Sequence, residues 1–131
     1  MIITPIQVRF NDMDPMRRVN NSTYGSYLEL GRLDFCQRYL KIEELEDIPF
    51  VLVRVEMDLR ASLRPGTDVN VKTWVSAIGT SSWEFSAHIL GASDETVYVE
   101  AKTVQVFFDY RQDCVRPIPA EFRAFLEKEM L

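Results

Sequence analysis

The chain has 131 residues, 47% hydrophobic and 27% charged, with a net charge of −5. This fits one soluble globular domain over residues 1–131, large enough to bury a true core. The acidic balance argues against nucleic acid as the main partner, since phosphate binding needs a basic face. A single histidine, His88, and two isolated cysteines, Cys36 and Cys114, are too few ligands for a structural zinc site.

Unpaired cysteines suit a reducing, cytoplasmic setting. The opening residues lack the basic and apolar blocks of a secretory leader. No apolar run approaches the roughly 18 residues of a membrane span, so no membrane partner is expected.

In chain order, "IITPIQVRF" alternates imperfectly and reads as a first strand, with an early proline that suits an edge. The polar loop "NDMDPMRRVNN" follows. In "STYGSYLELGRLDFCQRYL", Tyr24, Tyr27, Leu28, Gly31, Phe35 and Tyr39 recur at helical spacing. Leu30 and Leu33 lie partly off that stripe, so the helix is expected to be central and wrapped on more than one side. Asn20, Asn21 or Ser22 can cap its start. Gly25 and Gly31 weaken a helix interior, which suggests close approach of a neighbour. "IEELEDIP" reads as a short acidic helix or turn.

The remainder is strand-like. "FVLVRVEMDLRAS" is long and rich in β-branched residues, and "RPG" marks a turn. "DVNVKTWVSAIG" places Val69, Val71, Thr73 and Val75 on one face. "SSWEFSAHIL" does the same with Trp83, Phe85, Ala87 and Ile89, leaving Glu84, Ser86 and His88 on the other. "VYVEAKTVQVFFD" is a further long strand, "YRQDCVRPIP" a loop and "AEFRAFLEKEML" a short helix. One strand, one buried helix and four strands joined by short turns make an α+β fold with an antiparallel sheet.

The polar loop carries the candidate chemistry. Asp14 stands between a strand and a buried helix, whose N-terminal amides can polarise a carbonyl. Pro15 restrains Asp14 towards extended geometry. Asp-Pro also suits an ordinary turn. Asp12 is better placed to anchor the loop through backbone hydrogen bonds. Glu29 and Arg32 are spaced i, i+3, as in a simple ion pair. Ser81 and Ser82 lack the context of a serine hydrolase and read as turn residues.

The ordered set Arg9-Phe10, Asp12-Met13-Asp14, Val19-Asn20-Asn21, Tyr24 and Glu29 to Arg32 resembles the hotdog-fold acyl-CoA thioesterases of the 4-hydroxybenzoyl-CoA thioesterase type. "SLRPGTDVNV", "IGTSS" and "VRPIPAEFR" extend that resemblance over nearly the whole chain. It implies a hotdog fold, an antiparallel β-sheet wrapped around a central helix. It implies a homodimer or homotetramer with the acyl-thioester pocket at the interface. The activity implied is hydrolysis of an acyl-CoA or acyl-carrier-protein thioester, without metal or redox cofactor. Asp14 would be the catalytic carboxylate, as nucleophile or general base. Asn21 would orient water or the carbonyl, and Tyr24 would line the acyl pocket.

Arg17 and Arg18 stand where many relatives carry Gly-His. The substitution removes a residue tolerant of positive φ and a possible proton shuttle. It also adds two guanidinium groups suited to substrate phosphates, Arg18 foremost. Two other readings follow from the same residues: a non-catalytic hotdog module that binds acyl thioesters, and a hotdog dehydratase, for which His88 is the only available histidine.

Overall fold

A computed structural model describes residues 1–131. Strand β1 (Ile2–Ile6) leads through a 3-10 turn at Phe10–Asp12 to helix α1 (Thr23–Tyr39). A second 3-10 turn, Leu45–Asp47, precedes β2 (Phe50–Leu59), β3 (Val69–Ile78), β4 (Ser82–Gly91) and β5 (Val97–Asp109). The two-residue strand β6 (Cys114–Val115) and helix α2 (Ala120–Lys128) complete the chain. The long strands form one antiparallel sheet in the order β1-β3-β4-β5-β2, with β6 added to the end of β5. Helix α1 lies on β1, β3 and β4, and this wrapped arrangement is the hotdog fold.

The alternation read in the sequence is what packs the helix. Val69, Val71, Thr73 and Val75 of β3 are buried, as are Trp83, Phe85, Ala87 and Ile89 of β4. With α1 they divide the core in two. Tyr24, Tyr27 and Leu28 pack at one end, and Phe35 and Cys36 meet α2 at the other. Phe35, Phe85, Trp83 and Phe122 form a chain of edge-to-face and tilted rings, a geometry that adds to their area burial.

Gly31 sits where α1 crosses β3. A Cβ there would lie 2.5 Å from Thr73 Oγ1 and 3.1 Å from a Val71 methyl carbon. Gly25 has open space around it and serves no such contact.

Several expectations change in detail. The first strand ends at Ile6 and the second at Leu59, so both stop short of the apolar runs that suggested them. The loop after β5 contains β6. Helix α1 buries one stripe and leaves Leu30 exposed. The Glu29–Arg32 pair is not formed: Glu29 is exposed while Arg32 is buried. Burial lowers the pKa of Arg32, partly opposed by the nearby charge of Glu29. Of the candidate caps, Ser22 makes no side-chain cap; Asn20 takes that role, its side-chain oxygen accepting the Ser22 N–H at 3.0 Å and the Ser22 hydroxyl at 2.8 Å.

Strand β2 has a neighbour on one side only. Alongside Arg54, Glu56 and Asp58 it carries apolar side chains that are uncovered, with Val53 57% and Val55 46% exposed. The inward side chains of β3 and β4, by contrast, lie under α1.

Candidate active site

The loop between β1 and α1 is built from short-range hydrogen bonds. The Asp14 carbonyl accepts the Arg17 N–H at 3.0 Å, closing a β-turn with Pro15 in its second position. The Asp14 N–H donates to the Arg18 carbonyl at 2.7 Å, and Met13 bridges Val19. Arg17 has φ 58°, a left-handed conformation that suits glycine best. The loop therefore adopts a left-handed backbone with arginine in place.

Within this turn the two oxygens of the Asp14 carboxylate differ in their bonding. Its Oδ1 accepts the Met16 N–H at 2.8 Å and the Arg18 N–H at 3.2 Å. Its Oδ2 has no protein partner. The turn reading and the chemical reading of Asp14 are thus compatible: one oxygen holds the loop and the other faces outward.

Asp12 is buried and fully engaged. Its Oδ2 accepts the Arg9 N–H at 2.8 Å and the Tyr27 hydroxyl at 2.7 Å, and its Oδ1 accepts from the Arg9 guanidinium at 3.1 Å. Burial pushes its pKa up, but those donors outweigh burial and the net shift is downward. The Asp12 carbonyl also accepts the Asn20 N–H at 2.8 Å, tying the loop to the start of α1.

Asn20 takes the Ser22 N–H on its side-chain oxygen and the Thr23 N–H on its carbonyl, while the next amides, of Tyr24 and Gly25, remain the free N–H groups of a helix start. Asn21 is exposed there, and its amide has no protein partner. Tyr24 is buried, with its hydroxyl oxygen accepting the Leu63 N–H at 3.4 Å. Burial raises its pKa. The Leu63 N–H opposes the rise, and the charge of Asp14 adds to it.

Asp14, Arg18, Asn21 and Tyr24 line one cleft of about 430 Å³. Its far wall is Leu59, Arg60, Ala61 and Ser62, where the chain leaves β2. That wall carries no catalytic signature; the only hint of it was the "SLRPGTDVNV" match. A second cleft of about 800 Å³ opens on the other side of Asp14, between Phe10, Arg17 and Pro65. His88 lies away from both, on the outer face of the sheet, edge-on to Trp74 at 4.9 Å.

The family model described as Thioesterase-like superfamily matches residues 8–126. The chain belongs to this superfamily. Among curated proteins, this superfamily member is similar to the acyl-acyl carrier protein thioesterase ATL2, chloroplastic, of Arabidopsis thaliana, with 27% identity over 92% of the chain. It spans 65% of that protein's length, and 64% of the similar ATL3.

Among solved structures it is similar to one described as a predicted thioesterase from Bacillus stearothermophilus, with TM-score 0.90, 25% identity and coverage of 98% and 96% of the two chains. It is also similar to a Thermus thermophilus thioesterase complexed with coenzyme A and Zn, with TM-score 0.86, 27% identity and coverage of 96% and 91%.

The cleft combines three groups relevant to acyl transfer. It has a carboxylate oxygen free to bond, helix-start amides that suit a developing oxyanion, and an uncommitted side-chain amide.

Proposed function

We propose that the chain hydrolyses acyl thioesters of coenzyme A or of an acyl carrier protein, with Asp14 as nucleophile or general base. The observation that carries this reading is the division of Asp14. Oδ1 is fixed by two backbone amides while Oδ2 is left unbonded, and Asp14 lines a cleft with the start of α1.

As general base, Oδ2 takes a proton from water as the water oxygen bonds to the acyl carbon. The oxyanion forms against the helix-start amides. Its collapse breaks the C–S bond, and the proton passes to the departing sulfur. As nucleophile, Oδ2 itself bonds to the acyl carbon and expels the thiolate, and water then cleaves the mixed anhydride. Both routes give a free acid and a thiol. Asn21 orients the water or carbonyl, Tyr24 bounds the acyl end and Arg18 faces the substrate's phosphates.

The 4-hydroxybenzoyl-CoA thioesterase type is favoured by the order of Asp-x-Asp, Val-Asn-Asn, Tyr24 and Glu-x-x-Arg. Two copies paired through β2 fit its exposed apolar side chains and free edge, since an uncovered apolar edge is otherwise an aggregation hazard. Both cysteines are free, which suits a reducing cytoplasm. No helix is long and apolar enough to cross a membrane.

A panel of short, long, aromatic and hydroxylated acyl-CoAs, followed with a thiol reagent, tests the activity. Thiol release is expected for at least one member. Saturable binding without turnover would instead favour the non-catalytic module, a reading supported by Arg18 standing where relatives carry histidine. The position of His88 outside the cleft speaks against a dehydratase.

A further inference from the structure

The geometry points to the rim around Asp14 as a docking surface for an acidic acyl carrier protein, which narrows the proposed thioesterase activity and rests on it. Most lysines and arginines of this acidic chain are ion-paired with a carboxylate. Arg17, Arg18 and Arg64 have no such partner. Arg17 and Arg18 belong to the Asp14 turn, and Arg64 precedes Pro65 and Gly66 in the wall of the second cleft. The rim is thus a cationic patch on a molecule of net charge −5.

Two large apolar side chains stand within that patch. Phe10 is 91% exposed and Met16 is 76% exposed. Phe10 follows β1 and Met16 occupies the turn itself, so both are held by ordered backbone. Phe10 shares its cleft with Arg9 and Arg17, and Met16 with Arg18 and Arg60. An aromatic and a methionine beside arginines have the anatomy of a protein interface, apolar anchors next to a charged margin.

Charge complementarity selects an acidic partner and steers its approach. The carboxylate that would cleave the thioester opens at the same rim. A partner seated there therefore delivers a tethered acyl group without a second binding site.

The test compares one acyl chain, the best of the panel, carried by acyl carrier protein, by coenzyme A and by pantetheine. Wild type is compared with Phe10→Ala, Arg64→Glu and the double variant. We expect kcat/KM on the acyl carrier protein to fall about tenfold or more through KM, and to weaken with salt. Pantetheine hydrolysis should stay within about twofold of wild type, which also shows that the variants fold.

Equal losses on coenzyme A and carrier protein would overturn the proposal, because the rim would then read the nucleotide. Unchanged kinetics on all three would also overturn it, as would a Phe10→Ala protein whose only change is loss of self-association. If wild type hydrolyses none of the three, the thioesterase reading fails by itself. Titration with the acylated carrier protein then decides docking: salt-sensitive binding lost in the double variant supports it, and no binding refutes it.

Discussion

Asp14 and Arg18 close the loop upon each other, the Asp14 N–H bonding the Arg18 carbonyl at 2.7 Å and the Asp14 carboxylate accepting the Arg18 N–H at 3.2 Å. The pairing fixes one carboxylate oxygen and leaves the other unbonded, without help from any residue outside the turn.

Asp14→Asn is the direct consequence. Its carbonyl oxygen can accept the same two amide hydrogens, so the loop should survive. The uncharged group can serve neither as base nor as nucleophile. Thiol release should fall by at least about 100-fold, with a melting temperature close to wild type. An active Asp14→Asn protein would remove Asp14 from the mechanism.

Asp12 should behave in the opposite way. Asp12→Ala strands the buried Tyr27 hydroxyl and should cost about 1–3 kcal/mol of stability. Its lowered pKa sets the sign with pH. The stabilisation is present above the unfolded aspartate value of about 3.9 and is lost as pH falls through the lower folded value. Melting temperatures of wild type and Asp12→Ala should therefore converge in acid. Parallel curves down to about pH 2 would contradict this.

Burial pushes the Cys36 thiol up to about 12, only partly offset by Arg32. A buried neutral thiol is inert. Titration with a thiol reagent should find Cys114, which is half-buried, in the native protein, and Cys36 only after denaturant. Rapid native modification of Cys36 would mean that α1 separates readily from the sheet.

Gly31→Ala gains about 1 kcal/mol of helix propensity, yet its methyl would meet Thr73 and Val71. Both neighbours are buried and β-branched, so rotation brings another heavy atom into the same space. The net effect should be a destabilisation of about 1–2 kcal/mol, read by denaturant unfolding. Gly25→Ala should be neutral or stabilising.

The proposed pairing through β2 predicts that a double Leu52→Lys/Val55→Lys substitution halves the mass seen by light scattering. The same mass for wild type and variant would place any interface elsewhere.

The order of the long elements and the inward faces of β3 and β4 were legible along the chain. A half-covered strand must alternate, so Val69, Val71, Thr73 and Val75 announced their side before any contact was known. The ordered motif likewise singled out Asp14, Asn21 and Tyr24, and Arg18 stood out as a departure from it; the fold brings all four to one cleft.

Other features depended on which chemically similar residues were covered. Glu29 and Arg32 have ideal spacing for an ion pair, yet helix packing buries one and exposes the other. The exposure of β2 depends on where α1 comes to rest, because an apolar run reads alike whether a helix covers it or not. The division of the Asp14 oxygens and the opposite wall at Leu59 to Ser62 are long-range or angular facts. Periodicity reports which side a residue faces; only the closed chain reports what stands opposite.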